Sequence, residues 1–136
     1  MTAEPRWLTQ DMVLAFHDES LAAFGGAAGV RDSGMLESAI DRPRNKYAYG
    51  ETSFCVLAAA YGFGLVRNHP FVDGNKRTGL LAIAVFLGLN DHEFNPNEAE
   101  ETKIILALAA GDLTEEALAA WVEINTHPSP QSQEKA

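Results

Sequence analysis

The segment Asn68-His69-Pro70-Phe71-Val72-Asp73-Gly74-Asn75-Lys76-Arg77-Thr78-Gly79 runs without a break into the apolar run Leu80 to Leu87. A charged loop joined to an apolar run leaves few ways to fold. The apolar residues cover every helical face, which predicts a helix to about Leu89, buried on most sides and central to an α-domain. Its N-terminus is then held rigidly, with unpaired N–H groups and the positive dipole end facing the loop. Gly74 permits close approach to the backbone, and Lys76 and Arg77 add fixed positive charge at the same point. This describes an anion site suited to phosphate. His69 is a candidate base and Asp73 a candidate magnesium ligand one turn upstream.

A chain of 136 residues with 46% hydrophobic content makes one globular domain with a real core. No apolar run reaches membrane-spanning length, and Met1 to Pro5 lacks a signal-peptide pattern, so the expected compartment is the cytoplasm. The single Cys55 lies in an apolar run and reads as a small core residue. A net charge of −9 argues against nucleic acid and anionic membranes as partners. Six of the ten basic residues (Arg42, Arg44, Lys46, Arg67, Lys76, Arg77) nevertheless fall between positions 42 and 77, against two acids, Glu51 and Asp73. A locally positive region in an acidic protein suits one bound polyphosphate.

The fold class is all-α: a helical bundle around a buried central helix, with a short extended flap. Thr9 caps a first helix that Gly25-Gly26 stops. Asp32 or Ser33 caps a short helix, Gly34 to Asp41, that Pro43 ends. Arg42 to Gly50 shows no helical period and reads as an extended flap; its Tyr47 and Tyr49 either pack the core edge or grip a target. Thr52 or Ser53 caps a third helix, Phe54 to about Arg67, whose Gly62 and Gly64 allow close helix packing. Asn90 to Pro96 is a turn with a short extended piece. Asn97 caps a helix to about Ala110, and Thr114 caps the last one. The domain spans residues 1–125, and 126–136 has the composition of a disordered tail.

An imidazole can take a proton from a hydroxyl near neutral pH. A carboxylate suits Mg²⁺ bridging phosphates, and Lys76, Arg77 and a helix N-terminus stabilise charge on a transferring group. No obvious covalent nucleophile accompanies them. The residues point to transfer of a phosphate-containing group from a nucleotide to a hydroxyl.

His69 to Thr78 resembles the Fic-family motif His-x-Phe-x-Asp/Glu-Ala/Gly-Asn-Gly/Lys-Arg, and its Asn-Lys-Arg-Thr matches the death-on-curing (Doc) branch. The likeness extends to Phe24-Gly25-Gly26, Gly29 to Asp32, Leu36 to Ile40, Arg42-Pro43 and Gly111 to Thr114. It implies a Fic fold and a toxin that transfers the γ-phosphate of ATP, with Mg²⁺, to a threonine of elongation factor Tu. It further implies restraint by a separate Phd-like antitoxin with a helix that folds on binding. On the same resemblance, His69 is the general base and Phe71 anchors the loop in the core. Asp73 positions Mg²⁺, while Arg67, Gly74, Asn75, Lys76 and Arg77 bind phosphates. The flap residues Arg44, Lys46, Tyr47 and Tyr49 then flank a groove for target or antitoxin. Nucleotidyl-transferring Fic proteins carry glycine where Lys76 stands and a second arginine where Leu80 stands. The alternatives are AMP transfer and a silent nucleotide- or protein-binding member of the fold.

Other readings compete for single residues. His17-Asp18 resembles the pair of HD phosphohydrolases, but no histidine lies upstream, and a buried structural histidine is expected. His69 and Asp73 as a metal pair lack a third ligand. Ser33 to Glu37 resembles an inhibitory Fic motif, Ser/Thr-x-x-x-Glu-Gly/Asn, only until Ser38 departs from it.

Overall fold

The structure, a computed structural model, describes residues 4–130. Six helices follow one another: α1 (Gln10–Phe24), α2 (Ser33–Ala48), α3 (Phe54–Asn68), α4 (Asn75–Leu89), α5 (Glu98–Ala110) and α6 (Glu115–Ile124). Two short strands, β1 (His92–Phe94) and β2 (Thr126–Pro128), pair antiparallel. The architecture is all-α, as the sequence implies. The side chains of Thr9, Asp32, Ser53, Asn97 and Thr114 each accept a hydrogen bond from a first-turn N–H, which fixes five of the six helix starts. No described helix is long and apolar enough to cross a membrane.

The helix surrounded on all sides is α3 rather than α4. It packs against α2, α4, α5 and α6, and nearly every residue from Leu57 to Val66 is buried. The helix α4 lies on its flank, burying Ala82, Ile83, Phe86 and Leu87 while Leu81 remains exposed. Glycines make these contacts close. A Cβ on Gly62 would lie 2.5 Å from Ile83 Cδ1 of α4, one on Gly64 would lie 3.0 Å from the Ala39 Cα of α2, and one on Gly79 would lie 2.7 Å from Val66 Cγ2. Gly62 and Gly64 thus serve the close packing expected of them.

The extended flap expected over Arg42 to Gly50 is a helix instead. Pro43 sits inside α2, which continues to Ala48. Proline removes the hydrogen bond to the Ala39 carbonyl, a cost of about 3 kcal/mol in an ordinary helix interior. Tertiary contacts of the last turns offset it. Arg42 donates to both carboxylate oxygens of Glu115 in α6 at 3.2 and 2.7 Å, and Lys46 lies 3.6 Å from the same carboxylate. Tyr47 packs edge-on against Trp7, with ring centroids 5.5 Å apart.

The expected disordered tail also begins in structure. Thr126 to Pro128 form β2, opposite Phe94 to His92. The Asn95 and Ser129 N–H groups donate to the carbonyls of Asn125 and Asp91 at 2.9 and 3.0 Å, extending the pairing at both ends. Backbone bonding of this kind leaves no mark in composition. Residues 131–136 lie outside the described part.

Candidate active site

The motif loop joins the C-terminal end of α3 to the N-terminal end of α4, and contacts from two other segments hold it. His69 turns the chain out of α3 in the left-handed region, with φ 51° and ψ 54°. The last carbonyls of a helix lack intrahelical partners. Here Arg31 supplies them: its Nε donates to the His69 carbonyl at 2.7 Å and its Nη2 to that of Asn68 at 3.0 Å. The backbone of Gly29 to Asp32 then lies alongside the loop. Arg31 and Asp32 N–H donate to the Pro70 carbonyl at 2.7 and 3.1 Å, Val72 N–H donates to the Gly29 carbonyl at 3.0 Å, and Val30 and Phe71 form an antiparallel bridge. An extended segment does flank the motif loop, but it is the α1–α2 connection.

Phe71 is fully buried beneath the loop, the core position expected of it. Its ring stacks on His17 of α1 with centroids 3.8 Å apart and planes 8° from parallel. His17 is buried, and its Nε2–H donates to the Asp73 carbonyl at 2.7 Å. A Cβ on Gly74 would lie 3.4 Å from the same imidazole, and Gly74 has φ 79°, so glycine suits this position twice over. His17 is the buried structural histidine the sequence implies, and what it supports is the motif loop. His17→Ala removes the stacked ring and leaves the Asp73 carbonyl without its donor. The expected loss is about 2–4 kcal/mol, read as a lower urea midpoint. An unchanged midpoint would show that the loop stands without this support.

Asn75, also buried, bonds back to the loop. Its Oδ1 accepts from Phe71 N–H at 2.9 Å, its Nδ2 donates to the Phe71 carbonyl at 3.0 Å, and Nδ2 lies 3.2 Å from His69 Nδ1. With the side chain committed in this way, only the backbone N–H of Asn75 is left for an anion. Asp73 is exposed, and its Oδ2 accepts from Ala27 N–H at 3.1 Å. Asp73, Gly74, Asn75, Lys76 and Arg77 line a cavity of about 190 Å³ at the start of α4. No side chain caps this helix, so the positive end of its dipole opens into the cavity beside two cations. The Arg77 guanidinium lies 4.3 Å above the exposed ring of Phe24. Among the described residues no group of three or more His, Cys, Asp and Glu side chains could hold a metal ion. A lone carboxylate beside a cavity with two cations and an open helix start suits Mg²⁺ of the kind that binds through one or two carboxylates together with substrate phosphates.

Other candidate residues lie elsewhere. Arg67, expected beside the phosphates, donates to the carbonyls of Leu108 and Ala109 at the C-terminal end of α5, at 3.4 and 3.2 Å. Arg44, Lys46, Tyr47 and Tyr49 sit at the far end of α2, roughly 20 Å along the helix from the end that touches the motif loop. The Arg44 guanidinium lies over Trp7 at 5.4 Å, and Tyr49 is 94% exposed. The expected groove between this segment and the motif loop therefore does not form. A cavity of about 610 Å³ lies at this end of α2, lined by Arg42, Asn45, Lys46, Tyr49, Gly50 and Glu51, none of them from the motif loop. Sequence reasoning passed over Arg31 as a loop clamp and His17 as a loop support. A polar residue at a buried helical position, with Val13 and Ser20, was the visible signal for His17. Arg31 offered none, because its acceptors lie 37 and 38 residues away.

A bundle of helices presenting a capless helix start and a pinned histidine loop defines a class that comparison with known proteins makes specific. The chain matches the Fic/DOC family over residues 7–87. It is 35% identical to Protein kinase doc of Escherichia phage P1 over 86 residues, which cover 62% of this chain and 68% of that protein. It is 42% identical to Toxin Doc of Mycolicibacterium smegmatis over 86 residues, 58% of this chain and 65% of that protein. The N-terminal Fic domain of a VirB-translocated Bep effector protein from Bartonella quintana, solved with bound ADP, superposes with a TM-score of 0.52 at 19% identity. That match covers 75% of this chain and half of the solved one, and it bears on the fold alone. The chain belongs to the Fic/Doc family.

Proposed function

We propose that this protein is a Doc-type toxin that transfers the γ-phosphate of ATP to a hydroxyl of a target protein, with elongation factor Tu as the expected target. The observation that carries the reading is Lys76 beside the open start of α4, in one cavity with Asp73 and Arg77, while apolar Leu80 follows one turn on. Lys76, Arg77 and the first N–H groups of α4 bind and neutralise the phosphates. Asp73 would hold Mg²⁺, which supplies charge neutralisation across the phosphates when bound. His69 takes the proton of the attacking hydroxyl. A second cation in the position of Leu80 would favour nucleotidyl transfer; a leucine there supports phosphoryl transfer.

The test uses ATP labelled separately at the α- and γ-phosphates, incubated with the purified protein and cell lysate. Label is expected to reach a protein from the γ-position alone. Label arriving from the α-position alone would replace this reading with AMP transfer, and no transfer from either would favour a silent binding member of the fold. The toxin reading carries with it a separate antitoxin of the Phd-like kind, with a segment that folds as a helix on binding. Growth arrest on expression, relieved by the neighbouring small reading frame whose product co-purifies, is the expected result. Harmless expression of the folded protein alone would argue against it.

A further inference from the structure

We propose that Asn75 sets the tautomer of His69, and that proton transfer to His69 begins with release of this hydrogen bond. The orientation of the Asn75 amide follows from its neighbours. Its Oδ1 accepts from Phe71 N–H at 2.9 Å and its Nδ2 donates to the Phe71 carbonyl at 3.0 Å. Turning the amide over would oppose N–H to N–H and oxygen to oxygen, replacing two hydrogen bonds with two repulsions. The second hydrogen of Nδ2 is therefore left for His69 Nδ1, 3.2 Å away. A donor at that place requires a lone pair on Nδ1. A neutral imidazole has only one such lone pair, so its proton is on Nε2.

The arrangement is held from both sides. Asn75 is 4% exposed, which shields its amide from competing water. The histidine backbone is fixed by the Arg31 clamp on its carbonyl and by its left-handed turn out of α3. At rest, His69 thus carries a proton on Nε2 and directs its lone pair at Asn75.

This bears on the transfer step and rests there on the reading of His69 as the proton acceptor. In that step the hydroxyl O–H bond breaks, its oxygen bonds to the γ-phosphorus, the bond to the leaving ADP breaks, and the proton moves to an imidazole nitrogen. The product imidazolium has N–H groups at both nitrogens and cannot accept from Asn75. The Nδ1 hydrogen bond is lost before transfer, either as the ring turns Nδ1 toward the hydroxyl or as the ring exchanges Nε2–H for Nδ1–H through water. Asn75 is a positioning residue that holds the unliganded site in a form unable to accept a proton at Nε2.

Nitrogen-15 NMR of the full chain without nucleotide tests this directly, with the His69 signals identified by their loss in His69→Gln. The expected pattern is Nε2 protonated and Nδ1 bare, with a scalar coupling across the hydrogen bond between Asn75 Nδ2 and His69 Nδ1. In Asn75→Asp the carboxylate can still accept from Phe71 N–H but offers Nδ1 only acceptors, so the proton should move to Nδ1. A protonated Nδ1 in the wild-type protein, or averaging between both tautomers as in free histidine, overturns the proposal. So does a folded Asn75→Asp variant with an unchanged pattern. Should that variant not fold, the wild-type coupling decides, its absence counting against the proposal. The expected NMR pattern with undiminished phosphate transfer by His69→Ala would instead sink the catalytic reading and leave the tautomer assignment standing.

Discussion

On the proposed function, replacing His69 with alanine should remove the proton acceptor and lower phosphate transfer on the order of 10²–10⁴-fold, while the helical content and cooperative unfolding persist. The fold survives because His69 is exposed, and its carbonyl, which Arg31 holds, belongs to the backbone. His69 already holds the left-handed turn with a Cβ, so alanine adds little strain there. Asp73→Ala should abolish transfer in the same way and spare the fold, since Asp73 lines the cavity at the start of α4 and its carboxylate accepts a hydrogen bond from Ala27 N–H. The measurement pairs γ-label transfer with thermal unfolding for each variant. A His69→Ala protein that still labels its target or arrests growth contradicts the role assigned to this residue.

The second large effect is structural. Gly62→Val should destabilise the protein by about 3 kcal/mol, a fall in Tm of roughly 10 °C, because α3 and α4 touch at this residue. A Cβ there would stand 2.5 Å from Ile83 Cδ1 and 2.9 Å from Cγ1, and Ile83 is fully buried with nowhere to turn. Removing a helical glycine would by itself favour the folded helix by up to about 1 kcal/mol, so the clash decides the sign. Adding Ile83→Ala to Gly62→Val opens the space and should recover part of the loss. A single variant as stable as the parent would mean that α4 can shift on α3 without cost. Any such shift would also move the start of α4, and with it Lys76 and Arg77.

Local chemistry made much of this protein legible. Helix starts follow from Thr9, Asp32, Ser53, Asn97 and Thr114 because a cap involves residues two or three positions apart. Gly74, Lys76 and Arg77 point to an anion at the start of α4 for the same reason: the dipole, the glycine and the charges are neighbours in the chain. The buried place of Phe71 matches what the resemblance to the Fic motif implies.

What failed was decided by partners distant in sequence. Pro43 ends a helix by every local rule, yet Glu115, 73 residues from Arg42, and Trp7 hold the turns beyond it. Thr126 to Pro128 look disordered until β1 supplies an edge, and Arg67 looks like a phosphate ligand until α5 offers its last carbonyls. The motif loop shows both origins at once. Its residue types, and so the chemistry available to it, come from the sequence alone. Its shape depends on His17 and Asp73, 56 residues apart, and on Arg31, 38 residues from His69. Only tertiary structure brings these together, because a hydrogen bond depends on distance in space, and nothing in a chain's local pattern records which distant carbonyl a buried donor will meet.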